Sequence, residues 1–256
     1  MYRQTKERRP SSYTVTMPVI PNLMERAYML RFNRGPGPML DLFGGMALEA
    51  AMLGVDLGVF EALDENSSSP KRLADELDAD ETGIGVLLEY LNRAGYVEHR
   101  GNEYALTAMS ETWLLPSSAT SYDRYFRFWR EVLYPYWREH AEDAIREGTP
   151  PRTVYEWLDD HPDRWPIAQA AFELTAELIG DDIAEALDLA ENASVLDLGG
   201  GHGLYSIAIC EQYPSVTATI FDAPEMADLA RENVQSSDHD DRIEFVGGDY
   251  ETDVIE

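Results

Sequence analysis

The stretch between residues 194 and 203 constrains the fold of this chain more than any other part of the sequence. It reads Ser-Val-Leu-Asp-Leu-Gly-Gly-Gly-His-Gly, so an apolar run with one carboxylate, Asp197, opens directly into a turn with four glycines. A helical pattern of apolar residues follows at once over residues 204–212. This order predicts a buried strand, a tight turn and a helix N-terminus, a backbone arrangement that cradles small molecules.

The residues of this turn also discriminate between classes of ligand. Gly199 and Gly201 can adopt positive φ without penalty and let a ligand approach the backbone closely. A dinucleotide would place its pyrophosphate here, but Asp197 would repel it, and Leu204 stands where that motif needs a third glycine. A cationic ligand with its own carboxylate fits better. The turn therefore predicts a site for S-adenosylmethionine, which carries a sulfonium, an ammonium and a carboxylate group.

Two later strands are also predicted to end on an acidic residue. The alternating residues 217–221 lead into Asp222, which lies 25 residues after the first carboxylate, about where an acid meets ribose hydroxyls. Residues 242–246 lead towards Asp249, suited to accept a hydrogen bond from an adenine amine, and Tyr250, suited to lie against the ring. One such aspartate alone is often a helix cap or turn residue. Three strands in β-α-β-α-β order that each lead to an aspartate favour a ligand site.

These motifs resemble those of the small-molecule O-methyltransferases, the family of the plant phenolic and hydroxyindole O-methyltransferases. The matching residues are 195–203, 221–224 and 247–250, and the resemblance extends back to Asp41. It implies a homodimeric, S-adenosylmethionine-dependent enzyme that methylates the hydroxyl of a small, aromatic acceptor. The residues themselves leave open which acceptor is used and whether oxygen, nitrogen or carbon is methylated.

The resemblance also assigns roles to individual residues. In the family the glycine motif wraps the methionine part of the donor, the second acid holds ribose and the third acid faces adenine. By similarity these roles fall on Gly199 and Gly201, on Asp222 and on Asp249, and Asp197 and Tyr250 complete the predicted cofactor-binding set. Aromatics of the preceding helices also face the donor in the family. Here Tyr155 and Phe172 are candidates, although packing in the core is the simpler interpretation.

No catalytic residue is predicted within the chain. The family base is a histidine that follows further strands, whereas this chain ends at residue 256, so the resemblance predicts an incomplete methyltransferase domain with about three parallel strands. The first strand would then have an unpaired apolar edge. His202 lies nearest the donor but occupies a variable position of the turn, so we do not expect it to act as the base. We expect a fragment, a split gene product with a separate C-terminal half as partner, or an inactive remnant.

A different module is predicted before this domain. Residues 42–63 form an apolar helical stretch. Two helices, capped by Ser69 and Asp80, and a hairpin signal then occupy residues 70–107, which predicts a winged helix. The alternative function is a non-catalytic or DNA-binding regulator. The second capped helix carries Glu81 and Glu89 against Arg93 alone and would repel phosphate. In the family this module is a dimerisation domain, and we expect the same here.

The predicted fold is thus α/β plus helical, with four parts. We expect a basic tail or dimer arm at 1–34, a winged-helix dimerisation domain at 35–118, a helical linker with acceptor-side helices at 119–190, and a Rossmann-like S-adenosylmethionine-binding domain at 191–256. The linker contains aromatic-rich residues 121–147, which in the family line the acceptor pocket, and Pro135 should break or kink its helix.

Composition adds the expected environment. The net charge is −28, with two lysines against eighteen arginines, which predicts a halophilic protein of a high-salt cytoplasm; an ordinary acidic protein is the alternative. We predict no signal peptide, membrane span, metal site or nucleic-acid partner. The single cysteine, Cys210, is predicted to be a buried thiol.

Overall fold

The structure, a computed structural model, describes residues 24, 28, 31, 32, 34, 38–118, 120–249, 252 and 253 of the 256-residue chain. Tyr250 and most of the predicted N-terminal tail lie outside the described residues. The chain divides into two compact units, and the boundary falls between Asp123 and Arg124. Among the described residues, we find no helix with the length and apolar character that a membrane span requires.

In its described part, the first unit contains five α-helices and one antiparallel hairpin. In chain order these are α1 (Met39–Asp56), α2 (Val59–Asp64), α3 (Pro70–Glu76), α4 (Glu81–Arg93), β1 (Val97–Arg100), β2 (Glu103–Leu106) and α5 (Ala108–Trp113).

Local signals account for the boundaries of these helices. Ser69 accepts a hydrogen bond from the Arg72 amide at 3.3 Å, and Asp80 accepts one from the Gly83 amide at 2.9 Å, so both predicted caps are confirmed. The predicted helical stretch over residues 42–63 is helical except at Leu57 and Gly58, and it forms two helices. Gly58 adopts φ = 75°, a left-handed conformation that separates α1 from α2.

The second unit combines helices with a parallel sheet. In chain order its α-helices and strands are α6 (Asp123–Phe128), α7 (Tyr134–Glu147), α8 (Val154–Asp159), α9 (Trp165–Ala186), β3 (Ser194–Leu198), α10 (Leu204–Gln212), β4 (Thr217–Asp222), α11 (Ala227–Gln235) and β5 (Ile243–Gly247). A π-helix (Trp129–Leu133) separates α6 from α7, and 3₁₀ turns (Pro162–Arg164 and Pro224–Met226) precede α9 and α11.

The helical irregularity predicted at Pro135 lies just before that residue. A proline has no amide hydrogen to donate to the residue four positions earlier, and its ring crowds that carbonyl. The π-helix Trp129–Leu133 occupies this place and widens the helix by one residue per turn. Around it Trp129 makes edge-to-face contacts with three aromatic rings, those of Tyr125, Tyr134 and Trp137, at centroid distances of 6.3, 5.7 and 5.4 Å.

The sheet of the second unit has the order β3-β4-β5, and both pairings are parallel. The predicted β-α-β-α-β order is therefore confirmed. One face of the sheet packs on α10 and α11 through a core of Cys210, Ala218, Ile220, Ala230, Val234 and Ile243. On the other face Leu196 and Leu198 are 47% and 53% exposed. Because the strands are parallel, all three carboxyl ends lie at one edge of the sheet.

Candidate functional site

The turn between β3 and α10 has the conformation that its glycines allow. Gly199, Gly201 and Gly203 adopt φ values of 72°, 46° and 76°, where a side chain would strain the backbone. The Gly199 amide donates to the Phe221 carbonyl at 2.8 Å, which extends the pairing of β3 with β4 into the turn. Gly199 is exposed and has nothing within 4 Å of the position that a Cβ atom would occupy. The turn therefore offers bare backbone to a ligand.

Asp197 lies against this turn. Its Oδ2 atom accepts a hydrogen bond from the hydroxyl of Ser206 on α10 at 2.7 Å. A Cβ atom on Gly200 would lie 2.6 Å from the carboxyl carbon of Asp197, closer than real Cβ contacts. Gly200 and Ser206 are thus functional neighbours that sequence reasoning missed. The available signal was the only serine in the apolar stretch of residues 204–210.

Asp222, at the end of β4, is held against the same turn. Its Oδ2 atom accepts a hydrogen bond from the Gly201 amide at 2.7 Å, and its Oδ1 atom accepts one from the Ala223 amide at 2.6 Å. The side chain of Met226, also missed from sequence, lies beside Gly201, with its Cε atom 3.6 Å from a Cβ atom placed there. The sulfur of Met226 accepts a long hydrogen bond from Gln169 of α9 at 3.7 Å.

Asp249 follows β5 at the same edge of the sheet. The preceding amide, of Gly248, donates to the Asp222 carbonyl at 2.9 Å, which ties the end of β5 to the end of β4. The Asp249 carboxylate accepts a hydrogen bond from the Thr252 hydroxyl at 3.1 Å, and its amide donates to Asp253 at 2.8 Å. Asp249 therefore begins a turn, and its exposed side chain stands at the carboxyl edge with the other two acids.

The arrangement fits an organic cation. Three carboxylates, those of Asp197, Asp222 and Asp249, lie near the carboxyl ends of neighbouring parallel strands, beside a glycine turn whose first residue, Gly199, is exposed. Opposite charges within a few ångströms attract strongly where solvent is partly excluded, and like charges repel. The site would therefore favour a ligand with positive groups and disfavour a pyrophosphate.

The two aromatic candidates differ in their surroundings. Phe172 of α9 is half-buried and meets Phe128 edge to face at 5.5 Å, in agreement with a core role. The core interpretation of Tyr155 is wrong, because this residue is 56% exposed and its ring stacks on Trp165 at 6.2 Å. Tyr155 lies near the start of the short helix α8, which buries only Trp157 and Leu158.

The histidines of the second unit are engaged in contacts of the fold. His161 stacks on Trp157 with ring centroids 4.0 Å apart, and His239 lies 3.0 Å from the guanidinium of Arg242. His140 is buried beside Tyr136. His202 is buried in the glycine turn, where its Nδ1 atom accepts a hydrogen bond from the Leu204 amide at 3.1 Å.

Comparison with known families gives two matches along the chain. Residues 139–255 match the O-methyltransferase domain, and residues 40–116 match the O-methyltransferase dimerisation domain. The first match contains the glycine turn and all three carboxylates. The second match contains α1 to α5 and the hairpin of the first unit.

Individual relatives agree with these matches. The chain is 25% identical over 233 residues to 3-hydroxy-5-methyl-1-naphthoate 3-O-methyltransferase of Streptomyces sahachiroi, covering 86% of this chain and 65% of the relative. It is 28% identical over 230 residues to the tetracenomycin polyketide synthesis 8-O-methyl transferase of Streptomyces glaucescens, covering 87% and 67%. The chain thus spans about two thirds of the length of these curated relatives.

Solved structures share the fold. Human N-acetylserotonin methyltransferase in complex with S-adenosylmethionine superposes with a TM-score of 0.71 at 24% identity, covering 93% of this chain and 70% of that chain. At this identity the likeness establishes the fold alone. The predicted α/β architecture with a preceding helical module is therefore shared with this solved structure.

Proposed function

This chain belongs to the O-methyltransferase family, and we propose that it binds S-adenosylmethionine on the glycine turn and serves methyl transfer to the hydroxyl of a small aromatic acceptor. The observation that carries the proposal is the carboxylate of Asp222 bound to the Gly201 amide, at the edge where the three strands end. When bound, S-adenosylmethionine supplies an electrophilic methyl group on a positively charged sulfur.

Different described residues would bind different parts of S-adenosylmethionine. The backbone of the turn would receive the methionine part, because nothing lies within 4 Å of the Cβ position of Gly199, and only Asp222 and Met226 border that of Gly201, at 3.6 Å. Each oxygen of Asp222 accepts one backbone hydrogen bond, and a carboxylate oxygen has a further lone pair with which to accept a ribose hydroxyl. Asp249 would accept a hydrogen bond from the adenine amine. Asp197 would shape the turn through Ser206 and supply negative charge.

The acceptor class rests on chemistry shared by the relatives and on the aromatic helices. Both curated relatives described above are named as O-methyltransferases, one of them acting on a hydroxynaphthoate. The ring cluster of Trp129, Tyr134 and Trp137 offers flat surfaces, and Trp137 is exposed. Stacking on such rings favours planar phenolic or indolic acceptors. A base must also remove the hydroxyl proton in the transfer, and we assign none of the described histidines to that task.

We further propose that the first unit, as a winged-helix module, forms a homodimer through α1. This helix buries Ala47, Ala51 and Met52 within the unit but leaves an apolar strip exposed, formed by Leu42, Phe43, Met46 and Leu53. Exposed apolar strips of this kind mark association sites in soluble proteins. Light scattering should give a dimer that Met46→Glu converts to monomer. Val86→Glu, on the 67% exposed Val86 of α4, is the matched control and should remain dimeric.

The DNA-binding alternative finds no support in the corresponding helix. Arg93 is the cation of α4, and its guanidinium pairs with Glu89 at 2.8 Å. Glu89 also lies 3.8 Å from His99 on the hairpin. This surface is therefore neutral or negative, and a phosphate backbone requires unpaired cations.

The function is tested in two steps. Calorimetry with S-adenosylhomocysteine measures donor-site binding, and we expect a single site per chain. Radiolabelled methyl transfer to a panel of phenolic and indolic acceptors then tests the reaction class. Absence of S-adenosylhomocysteine binding at millimolar concentrations would refute the donor site, whatever the acceptor result.

A further inference from the structure

His202 connects the glycine turn to the helix that follows it. The Nδ1 atom of its ring accepts a hydrogen bond from the Leu204 amide at 3.1 Å. Leu204 is the first residue of α10, and amides at this position have no partner within the helix. Gly203, the residue at the N-cap, has no side chain that could serve them. The imidazole of His202, a residue of the glycine turn, therefore caps the N-terminus of α10.

Two further helices contact the same residue. The backbone carbonyl of Phe172 on α9 lies beside its ring, where it acts to raise the pKa of the imidazole. Its own backbone carbonyl accepts a hydrogen bond from the side-chain amide of Asn233 on α11 at 2.9 Å. His202 is only 8% exposed, so these bonds form away from bulk water, where a broken one is costly. Three helices thus converge on one residue of the turn.

We propose that His202 is a positioning residue for donor binding, whose neutral imidazole, with Nδ1 unprotonated, holds the glycine turn in the shape that receives S-adenosylmethionine. Its Nδ1 atom accepts from the Leu204 amide, so the neutral ring must carry its proton on Nε2. Protonation would turn Nδ1 into a donor that faces another donor. The inference deepens the proposed function and rests on it.

The groups around the ring set when protonation occurs. Burial lowers the pKa of His202 from its ordinary value, while the charges of Asp197, Asp222 and Glu177 act in the opposite direction and are outweighed. Tyr205 of α10 lies with its ring centroid 5.9 Å away, and burial raises the pKa of its hydroxyl. The α11 side contributes the neutral amide of Asn233. The ring is therefore neutral at pH 7.5 and gains its proton only below pH 6.5.

The test measures S-adenosylhomocysteine affinity by calorimetry between pH 7.5 and pH 5.5. The wild-type chain should lose affinity progressively as the pH falls below 6.5, by at most about tenfold at pH 5.5, because even a pKa of 6.5 leaves about a tenth of the rings neutral there. His202→Asn replaces the ring with a side chain that does not titrate and whose oxygen can still accept from the Leu204 amide. This variant should bind within about threefold of wild type at pH 7.5, with a flat pH profile.

Two controls make the outcome decisive. His161→Asn removes another histidine of the same unit, one that bonds the Trp157 carbonyl, and should keep the wild-type pH profile. Circular dichroism at each pH confirms that every variant remains folded. A flat profile in the wild-type chain, or an unchanged pH dependence in His202→Asn, would overturn the positioning role. Absence of binding by wild type at pH 7.5 would instead show that the proposed donor site itself is wrong.

Discussion

The Oδ2 atom of Asp222 accepts a hydrogen bond from the Gly201 amide at 2.7 Å, so the end of β4 holds the turn that follows β3. The two residues belong to different strand–helix connections, and the parallel register that pairs Leu198 with Phe221 brings them together. Asp222 therefore has two tasks, since the carboxylate proposed to hold ribose also holds the turn proposed to receive methionine.

Replacement of Asp222 by alanine should weaken donor binding. The variant loses the ribose acceptor and leaves the Gly201 amide without its partner, and an unpaired polar group of this kind costs about 1–3 kcal/mol, or roughly 5- to 150-fold in affinity. Calorimetry with S-adenosylhomocysteine measures the loss. Asp228→Ala removes an equal charge from an exposed position at the start of α11 and should change affinity little. Equal losses of affinity in both variants would mean that the change in net charge alone explains the effect.

Gly200→Ala should destabilise the second unit. The added methyl would meet the carboxylate of Asp197, with its carbon 2.6 Å away, and that carboxylate is held by Ser206. Overpacking of this kind typically costs about 1–3 kcal/mol. Urea denaturation gives the free energy of unfolding. Gly45→Ala is the matched control, because nothing lies within 4 Å of its Cβ position in α1 and alanine there should stabilise by about 0.5–1 kcal/mol. A Gly200→Ala chain as stable as wild type would show that Asp197 can move aside.

Sequence reasoning succeeded here where the structure depends on neighbours in the chain. The strand, the turn and the helix bounds at residues 204–212 follow from apolar patterning and glycines, and the caps Ser69 and Asp80 follow from their position before helical runs. It failed where contacts depend on register between distant segments. The bond between Gly201 and Asp222 spans 21 residues, and the bond between Gln169 of α9 and Met226, which borders the turn, spans 57. No local pattern carries that information.

The stability of the chain should depend on pH through His202. Burial lowers the pKa of this ring below its ordinary value of 6.5, so the folded chain binds fewer protons than the unfolded chain as the pH falls below 6.5. The free energy of unfolding should therefore fall as pH falls below about 6.5, by at most about 1.4 kcal/mol per pH unit, and level off below the folded pKa. Subtracting the curve of His202→Asn isolates this contribution from the titration of the many carboxyl groups. Parallel curves for the two proteins would contradict it.

Salt should stabilise the fold, as the halophile prediction requires. The net charge of −28 makes the compact chain repel itself, and at molar salt the screening length shrinks to about 3 Å. Thermal melts in a potassium chloride series from dilute buffer to molar concentration should show a rising melting temperature. Chloride is the appropriate anion, because sulfate would strengthen apolar burial in any protein. A melting temperature that is flat or falls with potassium chloride would contradict the halophile prediction and favour the alternative of an ordinary acidic protein.

The uncovered face of the sheet should bind apolar probes. Leu196 and Leu198 are 47% and 53% exposed on β3, and within the described residues this strand pairs only with β4, so its other edge is open. Exposed apolar area favours association by about 25 cal/mol per Å² removed from water, and an unpaired edge offers backbone groups to another strand. We expect the chain to bind 8-anilinonaphthalene sulfonate and to form oligomers larger than the α1 dimer at high concentration.

Leu196→Thr with Leu198→Thr should reduce both effects while keeping residues suited to a strand. Val86→Thr, at a 67% exposed position of α4, should leave both unchanged. An equal reduction by Val86→Thr would mean that the sheet face is not the site of association.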